Sequence, residues 1–150
     1  MRRIPSILLI CLLTVAGTAQ WKQPQAGDVP AYHESAPKPP EKMPPLLPAA
    51  RRVGPSFQHP SQRHGYELAE KIQKVIYQQP CYCFCDRSVG HKSLHSCFES
   101  DHGAHCATCL KEVYYAYQMT KAGKTPEQVR EGIKKGLFEQ IDLQTAASIN

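Results

Sequence analysis

Six cysteines and four histidines crowd into the thirty residues from Pro80 to Cys109. Cys81, Cys83 and Cys85 alternate with Tyr82 and Phe84, and Cys97 stands alone. Cys106 and Cys109 are spaced CxxC, and His91, His95, His102 and His105 lie among them. Thiolate and imidazole are the soft and borderline donors that select copper(I), first, and zinc, second. Soft-metal ligation is therefore the leading chemistry of this stretch. An extended Cys81–Cys85 segment would project its three sulfurs to one side, and Cys106 and Cys109 on a helix would share a face. Five such thiols exceed one tetrahedral site, so either a two-metal centre or a cuprous thiolate site fits the count.

Two other chemistries use the same residues. An even number of cysteines in an exported chain suits a disulfide framework, which would staple a small domain. Pairing Cys81 with Cys83, or Cys83 with Cys85, makes a strained ring, and Cys106 with Cys109 ties nothing distant together. Long-range pairs between the two groups stay open. Thiol redox chemistry would exploit a CxxC at a helix N-terminus, but no βαβ pattern surrounds it. Haem attachment fails because Leu110 follows Cys109. Histidines beside the cysteines favour metal, since a disulfide needs no imidazole. No activated serine or pair of carboxylates stands out, so the expectation is a binding protein rather than an enzyme.

The elements that position these residues are mainly α. Tyr66, Leu68, Ala69, Ile72, Val75 and Ile76 recur at helical spacing from Gly65, and Pro80 stops that helix. A second helix is expected from about His102–His105 to Ala122, with Gly123 as its stop and Cys106, Cys109, Leu110, Val113, Ala116 and Tyr117 as its apolar stripe. Thr125 as N-cap and Pro126 at the first position open a third, in which Val129, Ile133, Leu137 and Ile141 repeat. The expected fold is a small Cys/His-rich helical domain, about three helices around a cysteine-rich loop, at residues 63–145.

Ahead of it lie an export signal at 1–19 and a Pro-rich, disordered linker at 20–62. Arg2 and Arg3, the apolar run 7–13 and the small residues up to Ala19 resemble a cleavable signal, which implies a periplasmic or extracellular protein. Cys11 follows Ile10, where a lipobox needs a small residue, so membrane anchoring is not expected. Ten prolines between Trp21 and Pro60 exclude helix and central strand, and too few apolar groups remain there to offset ordering. The linker reads as a spacer, with docking to an extracytoplasmic protein partner the sharper alternative. Without Arg2 and Arg3 the chain carries 16 basic against 13 acidic residues. That balance gives no basic face for nucleic acid.

The run Pro80-Cys-Tyr-Cys-Phe-Cys85 resembles the bacterial PCYCGC-motif proteins, exported and often lipid-anchored proteins without an assigned function. The resemblance continues through Gly90-His91, Cys97-Phe98, His102 and Cys106-Ala-Thr-Cys109 to Val129-Arg130, and covers about residues 77–142. It implies that the recurring polar positions are Cys81, Cys83, Cys85, His91, Cys97, His102, Cys106 and Cys109. These are the expected metal ligands. His95 and His105 fall outside the pattern and are expected to be bystanders. Phe84 stands where the motif has glycine, a departure that argues against a tight backbone turn there.

Overall fold

The computed structural model describes residues 23–150, so the signal segment and Cys11 lie outside the described residues. What it describes is mainly helical, with five α-helices, several short 3-10 helices and no strand among the described residues. α1 spans Pro60–Lys71, α2 Gln73–Ile76, α3 Cys85–Ser88, α4 Ala107–Lys121 and α5 Pro126–Lys134.

α1 starts at Pro60, ahead of the expected Gly65. Pro60 presets the backbone at its first position, and the Gln62 side chain accepts the His59 N–H at 2.8 Å. The single helix expected up to Gln78 is broken at Ile72, whose φ of −123° leaves the helical region, and α2 completes it. Tyr66 is fully buried, edge-on to both Phe57 and Phe98 at 5.1 and 4.8 Å.

α4 is the hub. From Cys109 to Tyr117 every residue except half-buried Lys111 is buried, so the helix is covered on nearly every side. Gly65 lets α1 approach it closely: a Cβ there would lie 2.9 Å from Leu110 Cδ2. The Tyr114 hydroxyl donates to the Ser61 carbonyl at 2.9 Å, tying the two helices together.

α5 begins as its sequence dictates, with Thr125 and Gln128 forming a reciprocal capping box. It ends sooner than expected. Gly136 turns into the left-handed region at φ 73°, and a 3-10 helix at Leu137–Gln140 follows. Val129 and Ile133 are buried as the repeat implies, but Leu137 is 40% exposed and Phe138 takes its place in the core.

The expectation of a free linker is corrected by residues 28–57, which lie against the domain. Leu46, Leu47 and Phe57 are buried. The Leu47 N–H donates to the Phe98 carbonyl at 2.8 Å, and buried Arg52 donates to the Leu47 carbonyl while pairing with Glu70. His33 stacks on Tyr77 at 3.9 Å, and Asp28 pairs with Arg87 at 2.7 Å. Proline forbids this backbone its own ladder of hydrogen bonds. It does not forbid side chains from packing on a neighbouring surface.

Phe57→Ala should therefore cost about 3–5 kcal/mol of stability, read as a drop in the thermal midpoint. An unchanged midpoint would place this segment outside the cooperative unit.

Candidate metal centre

The cysteine stretch is held by its backbone before any sulfur is considered. Buried Gln79 accepts the Leu94 N–H on its carbonyl at 2.8 Å, and its side-chain amide donates to the carbonyls of Val75 and Pro126. Arg130 donates to the Gln78 carbonyl at 2.9 Å. The chain thus enters Cys81 locked between α2, α5 and the 3-10 helix Leu94–Phe98.

From there it does not run extended. The Phe84 N–H bonds back to the Cys81 carbonyl at 3.1 Å, and Phe84 sits at φ 55°, the left-handed region. The tight turn that a bulky residue argued against is present. It occupies the position where the family motif has glycine, the residue that adopts this conformation without strain. The turn also corrects the expected alternation of sulfurs. Cys81 and Cys83 approach Cys109 of α4, whereas Cys85 opens α3 and approaches Cys97. Tyr82 and Phe84 are half-buried and edge-on to each other, and Tyr82 packs against the core.

Beyond α3, the 3-10 helices Leu94–Phe98 and Asp101–His105 bring in Cys97 and His102. Gly103 permits this path, because a Cβ there would come within 2.9 Å of the Cys97 carbonyl oxygen. The Tyr66 hydroxyl donates to the Ser100 carbonyl at 2.6 Å and accepts the Ala104 N–H, anchoring the loop to α1. α4 starts at Ala107, later than expected, with Cys106 as its N-cap; the Cys106 sulfur accepts the Cys109 N–H at 3.5 Å.

The sulfurs converge. Cys81 Sγ lies 3.2 Å from Cys83 Sγ and 3.3 Å from Cys109 Sγ, and the last two are 3.7 Å apart. Cys85 Sγ lies 3.5 Å from Cys97 Sγ, and His91 Nδ1 is 3.1 and 3.4 Å from those two sulfurs. Four sulfurs held about 2.3 Å from a central zinc ion would stand roughly 3.8 Å apart, a spacing this cluster approaches. Two sets of donor atoms each lie within 4.8 Å of one another: Cys81, Cys83, Cys97 and Cys109, and Cys83, Cys85, Cys97 and His102. The His91 ring is edge-on to His102 at 4.8 Å.

Charge is unevenly shared. Hydrogen bonds from Cys106, then Cys109 and Cys81, hold the Cys83 thiol far below its ordinary range. Burial pushes the Cys81 thiol up, with help from its sulfur neighbours. Burial, and then the charge of His102, lowers the pKa of His91, leaving a lone pair free for ligation. The histidine side also borders a cavity of about 530 Å³, lined in part by His33, Glu41, His91 and Glu99.

Six of the eight expected ligands fall in the two donor sets. His91 touches two of their sulfurs, and Cys106 flanks them as the cap of α4. His105 is exposed and hydrogen-bonded to Ser56, away from the centre. His95 is no idle loop residue: its ring is fully buried, with Nδ1 at 3.0 Å from Glu99. Glu112 escaped the sequence reading altogether. It is fully buried beside Cys81, and one carboxyl oxygen accepts the Tyr82 N–H at 2.7 Å while the other has no partner. Burial pushes its pKa well above the carboxylate range. The available signal was a carboxylate between Cys109 and Val113 on an otherwise apolar stripe.

A family model described as "protein of unknown function with PCYCGC motif" matches residues 49–141, more than half of the chain. No curated protein and no solved structure matches the chain. The chain belongs to the PCYCGC-motif family, and the match takes in the packed segment from Ala49 as well as the cluster.

Two pairs of variants test the local argument. Phe84→Ala and Phe84→Gly both delete the ring, so the glycine variant should be the more stable by about 1 kcal/mol; equal midpoints would mean the turn is not left-handed. Glu112→Gln keeps an acceptor for Tyr82 and should stay within about 1 kcal/mol of the parent. Glu112→Ala strands that N–H beside a cavity and should cost about 2–4 kcal/mol; similar losses in both variants would refute the role given to the carboxyl.

Proposed function

We propose that this PCYCGC-motif protein is an exported binding protein that holds or hands on a soft metal ion, copper(I) or zinc, and is not an enzyme. The observation that carries the reading is convergence: donors from the 81–84 turn, α3, two 3-10 helices and α4 form two overlapping sets, each within 4.8 Å. Cys81, Cys83 and Cys109 each approach two other sulfurs. A disulfide framework distributes its sulfurs in separate pairs and gains nothing from His91 lying against two of them. Export rests on the signal-like pattern of residues 1–19, and it fits the chemistry, because an ion on the thiolates shields them from oxidation in an oxidising compartment.

Holding and handing on differ in how far the fold needs the ion. The core around Tyr66, Leu68, Val113, Tyr114 and Ile133 is fully buried, and Cys81, Cys85, Cys97 and Cys109 are packed into the same cluster of buried side chains. We read the site as carried by this core, with the ion adding stability rather than building the fold.

Protein recovered from its own compartment should contain copper or zinc by elemental analysis, with all six thiols open to alkylation after denaturation without reductant. Three disulfides and no metal would overturn the reading. Chelation under reducing conditions should lower the thermal midpoint yet leave most of the far-ultraviolet circular dichroism. Collapse of the helical signal would instead make the ion a structural one.

A further inference from the structure

Resting on the metal-binding reading, we infer that the cluster is a two-ion centre in which the thiolates of Cys83 and Cys97 bridge. Cys81 and Cys109 complete the shell of an inner ion, and Cys85 and His102 that of an outer one. The two donor sets are not alternatives for a single ion. Each supplies the four ligands of a tetrahedral site, and together they draw on six residues because Cys83 and Cys97 belong to both. Two four-coordinate ions served by six donors must share two of them.

Charge favours the same arrangement. One zinc ion on the four thiolates of the inner set would leave two excess negative charges in surroundings where Cys81, Cys97 and Cys109 are buried. Two zinc ions on five thiolates and a neutral imidazole leave one. Uncompensated charge is costly to bury, so the second ion stabilises the first.

The two positions differ in access. Three of the four inner ligands are buried, whereas the outer set includes half-buried His102 and lies beside His91, which borders the cavity. The outer ion is the one that exchanges first. His91, in contact with both Cys85 and Cys97, offers a second imidazole at that position as the ion moves.

The test takes the full chain, reduced, and titrates it with zinc under native mass spectrometry and with cadmium under NMR. The parent should saturate at two zinc ions. Cadmium should give two resonances, each split by the other, because coupling between the ions requires a shared sulfur. His102→Ala, at a half-buried position the core does not use, should keep one ion and bind the second about tenfold or more weakly. Cys83→Ser should weaken both ions by about tenfold or more. Saturation at one zinc ion, or two cadmium resonances without mutual splitting, would overturn the shared-ligand centre while leaving metal binding intact. Failure to bind either metal with all thiols reduced would remove both. The parent's stoichiometry and splitting decide even if Cys83→Ser does not fold.

Discussion

α4 is covered along most of its length, so whatever is attached to its first turn is fixed in space. Cys109 is on that turn, Cys106 caps it, and Glu112 follows one turn later with a buried hydrogen bond to the Tyr82 N–H. That bond clamps the cysteine turn onto the helix. Breaking it would release Cys81 and Cys83 together, since both are carried by the same tight turn. The remaining donors reach the centre through loops anchored by Tyr66 and Gln79, two fully buried side chains. The geometry of the sulfurs is thus inherited from packing around α4 and α1.

The electrostatics follow from that confinement. Thiols at 3.2–3.7 Å cannot all ionise in an apolar setting. Hydrogen bonds from its neighbours favour ionisation of Cys83, while burial disfavours it at Cys81. Loading such a cluster with cations exchanges thiol protons for metal, and soft sulfur donors favour ions that accept that exchange. Beside the thiols, burial favours the protonated form of Glu112, whose carboxyl oxygen accepts the Tyr82 N–H.

The segment before α1 has a structural part that its composition conceals. Arg52 closes a loop onto Glu70, Phe57 packs edge-on to Tyr66, and His33 lies flat on Tyr77. Tyr77 in turn is edge-on to buried His95 at 5.9 Å. A line of rings therefore runs from the proline-rich segment to the 3-10 helix that carries Cys97. The same segment supplies His33 and Glu41 to the wall of the cavity beside His91, so it shapes the approach to the more open side of the cluster.

The helical class, the N-cap at Thr125, the stop at Gly123 and the identity of the cysteine cluster were all legible in the chain, because each depends on near neighbours. Propensity, capping and spacing are local, and Pro126 or Thr125 acts the same way in any fold. The sequence also determined the family, through the order and spacing of its cysteines and histidines. Only the tertiary structure decided how the sulfurs group. The spacing of Cys81, Cys83 and Cys85 suggested one row, but with the left-handed turn at Phe84 Cys81 and Cys85 fall in different donor sets and Cys83 is common to both. Glu112 and His95 owe their roles to burial, which no local pattern reports for a polar residue. The packed proline-rich segment has the same origin: its few apolar side chains are too sparse to show a period, and they matter because Tyr66, Phe98 and Tyr77 wait for them across the fold.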